Sequence, residues 1–197
     1  MSGFEGLKAF CDDLASPEPA PGGGTAAAAS GAIAASLLSM VCGVTLKSKK
    51  HEMNWPRLEL LKERADELGA LLIKHAEMDA LSYLTVVRHA RAKREAPGDE
   101  EAAAAYEEAV RGAIEVPTST AEACVEVLRL ADEVAAVGTK SASSDIEVAR
   151  LLAAAGVDGA VANIMVNLPS CADASASARA RESAERINSE KGALLAR

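Results

Sequence analysis

Between Pro19 and Leu46 the chain carries no charged residue, and this run limits the possible folds more than any other feature. It is long enough to cross a bilayer. Its first half, however, is mainly glycine, alanine and serine, with prolines at 19 and 21. Large apolar residues (Ile33, Leu37, Leu38, Met40, Val41, Val44 and Leu46) are confined to the second half. Small residues drive membrane insertion weakly, and Lys47, Lys49 and Lys50 mark a single flank. The run therefore reads as a helix from about Gly24 to Leu46 wrapped by protein, since helices apolar on all sides are buried ones. Gly24, Ala28, Gly31 and Ala35 recur at three- and four-residue spacing, a smooth stripe that lets another helix approach closely.

Such a helix needs partners, and the rest of the chain supplies them. Alanine, the best helix former, is abundant throughout, aromatics are only 3%, and alternating β-branched runs are missing. The fold class is all-α. Phe4 to Leu14 has helical apolar spacing, and Ser16 to Gly23 breaks the ladder with prolines and glycines. After a basic turn at Lys47 to His51, Pro56 opens a long helix reaching about Arg94. Asp99 caps a helix from Glu100 to Glu115, and Pro117 starts another that Gly138 stops. Ser143, Ser144 and Asp145 cap Ile146 to Ala155, Gly156 to Gly159 breaks the chain, and Val161 to Asn167 resumes it. Ser175 to Arg197 is the final helix. No repeat or long linker divides residues 1–197, so they are expected to form one domain, with the helices joined by short turns into a bundle.

The balance of 21 basic against 29 acidic residues, net −8, argues against nucleic-acid binding, which needs a basic face. Cys11, Cys42, Cys124 and Cys171 lie far apart among small or apolar neighbours and read as buried, reduced thiols. Met1 to Phe10 carries Glu5 and Lys8 and lacks a signal-peptide core, so a cytoplasmic protein is expected. With three histidines and no ligand spacing, no metal and no tightly bound cofactor are expected.

Several segments could carry chemistry. Pro21, Gly22, Gly23, Gly24 and Thr25 open a helix where backbone amides and the helix dipole favour a ligand, or they simply turn the chain. Lys47, Lys49, Lys50 and His51 either suit a polyanionic tail or complement the preceding helix dipole. His75 and Asp79, four apart, share a helix face with Ser82 and Tyr83. They can form a surface pair or place a proton-transferring carboxylate among the helices. Asn163 and Asn167, four apart in an apolar stretch, need partners, whether other helices or a polar ligand.

Taken together these segments resemble the cyclodeaminase/cyclohydrolase family of folate enzymes. That family includes the cyclodeaminase domain of formiminotransferase-cyclodeaminase and the stand-alone methenyltetrahydrofolate cyclohydrolases. Leu14 to Thr45 follows the family's opening nearly position for position, with Lys49 and Lys50 matching a lysine run beyond it. Met78 to Tyr83, Val116-Pro117, Ser144-Asp145 with Val148-Ala149, and Asn163 with Asn167 match later motifs. Two positions depart: Gly138-Thr139 stands where the family has Gly-Asn, and His51 where it has tyrosine.

The resemblance implies an up-and-down helical bundle that assembles as a homodimer, with a tetrahydrofolate derivative as substrate. It implies Asp79, Asp145 and Lys50 as catalytic residues. Pro21, Gly22, Gly23, Gly24, Thr25, Lys49, Ser144 and Asn163 would bind the folate. A chain without a formiminotransferase segment suggests hydrolysis of 5,10-methenyltetrahydrofolate to 10-formyltetrahydrofolate. The alternatives are cyclodeamination of 5-formiminotetrahydrofolate, a non-catalytic folate-binding scaffold, and an enzyme for a different pterin carrier. No membrane or nucleic-acid partner is expected.

Overall fold

The uncharged run folds as a helix, α2 (Gly23–Leu46), whose inner face, including Ala28, Ala35, Leu38, Val41 and Cys42, is fully buried. The computed structural model describes residues 3–196. The other helices are α1 (Gly3–Leu14), α3 (Trp55–Glu95), α4 (Glu100–Val137), α5 (Ser143–Asn167) and α6 (Ala174–Leu195), with short 3₁₀ turns joining α2 to α3, α4 to α5 and α5 to α6. No strand occurs among the described residues.

Helices α2 to α5 form a closed up-down-up-down bundle, each packed on the next and α5 returning to α2. Their register is visible in polar contacts. Ser39 donates to Asp66 at 2.5 Å and Thr25 to Asp79, which runs α3 antiparallel to α2. Arg57 pairs with Glu133 and Arg64 with Glu126, reversing α4 on α3. Arg150–Asp132 and Asn167–Ala113 do the same for α5 on α4. α6 lies outside the bundle against α4 and α5, pinned by Arg129–Glu190, Arg186–Glu122 and Lys191–Asp158. α1 buries no residue. α2 and the segment Lys140–Ser170 are each long and apolar enough to span a bilayer, and about half of each apolar window is buried inside the protein.

Several sequence expectations are corrected here. The segments on either side of Pro117 are one helix. Proline lacks the N–H that would bond the Ala113 carbonyl four residues back. The Asn167 side-chain amide donates to that carbonyl instead, at 2.8 Å. Gly156 to Gly159 is helical rather than a break, because these glycines are contact points with α2. A Cβ on Gly156 would lie 2.8 Å from Cys124 Sγ and 3.0 Å from the Ala27 carbonyl, and one on Gly159 would lie 2.8 Å from Ala27 Cβ. Asp99 caps α4 as expected, accepting from the Glu101 and Ala102 amides. Ser143 to Asp145 form no such cap; they are the first turn of α5, whose N-cap is Ala142. The final helix is capped by Asp173, and its expected end at Arg197 lies outside the described residues.

Only two of the four cysteines are buried: Cys42 and Cys124 sit in the core, Cys11 is exposed and Cys171 half-buried, and all four are free thiols. Burial pushes the Cys42 thiol up to about 11 and the Cys124 thiol up to about 12.

Candidate active site

The first turn of α2 is built from glycine so that another side chain can reach its backbone. Asp79, midway along α3, points its carboxylate at that turn. A Cβ on Gly24 would overlap the carboxylate. Thr25, 4% exposed, donates its hydroxyl to Asp79 Oδ2 at 2.8 Å. Gly22 is the N-cap and no side chain caps α2. Asp79 therefore supplies the negative charge at the positive end of the helix dipole. Asn163, near the end of α5, donates to the Gly159 carbonyl at 2.8 Å. Its amide nitrogen lies 3.7 Å from where a Gly23 Cβ would stand. Pro21 and Gly22 are half-buried beside it, and Gly23 is exposed. Pro21, Gly22, Gly23, Gly24, Thr25, Asp79 and Asn163 thus gather at one end of the bundle. The arrangement holds a partly accessible carboxylate in a fixed position, able to face a cation or accept a proton.

The other candidate residues lie elsewhere. Lys49 and Lys50 are exposed in the 3₁₀ turn after α2; Ser144 is exposed and Asp145 half-buried in the first turn of α5. The 24 residues of α2 separate this end of the bundle from Asp79. At 1.5 Å per residue that is about 35 Å. Thr139, one of the two departures, belongs to this second group. Its N–H donates to Thr45 Oγ1 at 3.1 Å, and its hydroxyl is 3.0 Å from Ser141 Oγ. It borders a cavity of ≈ 530 Å³ with Lys140, Ser143 and Glu147.

His75 does not pair with Asp79. It is 7% exposed and lines a separate cavity between α3, α4 and α6, with Leu71, Ser119 and Ile187. Its Nδ1 is buried without a hydrogen-bond partner. Burial, with Lys74 nearby, holds its pKa below the ordinary value of 6.5. Asn167 is a structural tie to α4, and Tyr83 is exposed. The residues missed from sequence are those lining a cavity beside Thr25: Phe10, Ala29, Ile73, Ala76 and Ala80. The signal was there for α3, since 73, 76, 77 and 80 share one helical face. Among the described residues no three His, Cys, Asp or Glu side chains converge as metal ligands would.

Residues 6–186 match the formiminotransferase-cyclodeaminase family. The chain is 35% identical over 195 residues to a methenyltetrahydrofolate cyclohydrolase of Methylorubrum extorquens, covering 98% of this chain and 94% of that protein. It is 29% identical to the formimidoyltransferase-cyclodeaminase of Sus scrofa over 89% of this chain, and spans 33% of that longer protein. The crystal structure of formiminotetrahydrofolate cyclodeaminase from Thermotoga maritima superposes with a TM-score of 0.85 at 26% identity, covering 95% of this chain and 90% of that one. With the family model matching residues 6–186 and a 35% identical relative covered over nearly its whole length, the chain belongs to the formiminotransferase-cyclodeaminase family.

Proposed function

We propose that the protein is a folate one-carbon enzyme that hydrolyses 5,10-methenyltetrahydrofolate to 10-formyltetrahydrofolate, with Asp79 at the chemistry. The observation that carries this is the Asp79 carboxylate, fixed by Thr25 at the glycine turn of α2. The bridge carbon of the substrate lies between N5 and N10 in a cationic amidinium. A carboxylate beside it stabilises the cation and accepts the proton of the attacking water. The water oxygen bonds to that carbon, the carbon–N5 bond breaks, N5 takes a proton, and the formyl group stays on N10. The similarity to the Methylorubrum extorquens cyclohydrolase over nearly both full lengths favours this direction. The Thermotoga maritima and Sus scrofa relatives favour a second reading, cyclodeamination. There N10 attacks the formimino carbon and ammonia leaves, giving the same methenyl bridge.

The reading extends to a homodimer. One stripe of α2 faces away from its partner helices, with Ile33, Met40 and Val44 exposed and Leu37 half-buried, at the spacing of a helix-packing seam. Two copies pairing antiparallel through this stripe set residue 23 of one α2 beside residue 46 of the other. A two-fold interface of this kind uses the same patch on both copies. Lys49, Lys50, Ser144 and Asp145 of one copy then approach the Asp79 turn of its partner. Lys49 meets the glutamate tail, Lys50 or Asp145 moves the proton to N5, and Ser144 and Asn163 hold the pterin. With four free cysteines, we place the enzyme in the cytoplasm.

The test is loss of the methenyl absorbance band on mixing 5,10-methenyltetrahydrofolate with the protein. Wild type should consume the band, and Asp79→Asn should lower kcat by about 10²–10⁴. Turnover within about threefold of wild type would remove Asp79 from the chemistry. A band that instead grows from 5-formiminotetrahydrofolate selects the deaminase.

A further inference from the structure

Beside the Thr25–Asp79 pair lies a cavity of ≈ 340 Å³ that no catalytic role accounts for. Its walls are Pro21, Thr25 and Ala29 of the glycine turn and α2, Ile73, Ala76 and Ala80 of α3, and Phe10 of α1, with Glu77 at the edge. The polar groups on this lining are few. The Thr25 hydroxyl already donates to Asp79, and Glu77 is exposed at the rim. Both phenylalanines of this aromatic-poor chain, Phe4 and Phe10, lie on α1. That helix buries nothing in the bundle, yet its Phe10 closes one wall of this slot.

A pterin ring, edged with donors and acceptors, would leave its polar groups unpaired in such a slot. The p-aminobenzoyl ring of a folate has only its carbonyl and linking nitrogen at the two ends and apolar faces between. Its nitrogen is N10, which is bonded to the bridge carbon itself. A benzoyl ring seated in the slot therefore holds the reacting carbon beside Asp79. Resting on the folate reading given above, we propose that Phe10, with Ile73, Ala76 and Ala80, forms the site for the p-aminobenzoyl ring, and that Phe10 is a substrate-binding residue contributed by α1.

The experiment is steady-state kinetics of the full-length protein with 5,10-methenyltetrahydrofolate, comparing wild type, Phe10→Ala and Phe10→Tyr. Phe10 is outside the core, so the fold should be kept, as a matching thermal melt would verify. Losing an aromatic contact should raise KM of Phe10→Ala by about five- to tenfold with kcat within twofold, while Phe10→Tyr stays near wild type. An active wild type with KM unchanged in Phe10→Ala overturns the benzoyl site and leaves the folate reading intact. A fall in kcat at unchanged KM overturns it as well. A wild type that neither consumes nor forms the methenyl band overturns the folate reading, and this inference falls with it.

Discussion

Pro117 withholds an N–H from Ala113, and a residue from a different helix repairs the defect. The Asn167 amide bonds the Ala113 carbonyl in a place where water is scarce. Asn167→Leu should therefore destabilise the protein by about 1–3 kcal/mol, the cost of an unsatisfied buried acceptor. In a Pro117→Ala background the helix supplies its own N–H, so the same substitution should cost much less. Urea midpoints around this double-mutant cycle measure the coupling. His75 makes a second residue-scale prediction, through pH. Its folded pKa is depressed below 6.5, so the unfolded chain binds the proton more readily than the native one. Stability is then fully present above pH 6.5 and declines as pH falls below it. Melting temperatures between pH 7 and 5.5 should drop in wild type and be flatter in His75→Phe.

At the scale of the helix, the glycines divide by what stands opposite them. Gly192 on α6 has nothing within 4 Å of a built Cβ, so Gly192→Ala should stabilise by about 0.5–1 kcal/mol through propensity alone. Gly156 on α5 has equal propensity to gain, but its Cβ would press on the backbone of α2 and on Cys124. Overpacking of about 1–3 kcal/mol outweighs the propensity gain, so Gly156→Ala should lower the denaturation midpoint. The stripe of small residues on α2 was legible in the sequence because three- and four-residue spacing defines a helix face. The matching glycines of α5 look like a chain break in isolation. Only the helix laid against them explains why they are glycine and still helical.

For the molecule as a whole, the decisive feature is that two groups of candidate residues occupy opposite ends of the bundle. If a partner copy joins them, Asp79→Asn and Lys50→Met chains mixed in one preparation should complement each other. Each mixed dimer would carry one intact site, and random pairing would restore about a quarter of wild-type activity. Activity no higher than that of either variant alone would place both residues' function within one chain. Co-expression with two affinity tags, followed by the methenyl absorbance assay, makes this measurement.

The helical class, the burial of α2 and the segment carrying Asp79 were all readable from residue types and spacing, because period and charge define which faces of a helix meet protein and which meet water. Continuity through Pro117 and through Gly156 to Gly159 was not, since in each case the compensating group lies far away in the chain. The separation of Lys49, Lys50 and Asp145 from Asp79 was hidden for a related reason. Sequence period fixes the angle of a residue around its own helix, but which end of a neighbouring helix it meets is set by the antiparallel packing of the bundle. Tertiary structure alone placed Asp79 against Gly24 and Thr25, where the absence of a Cβ lets a carboxylate reach the start of a helix.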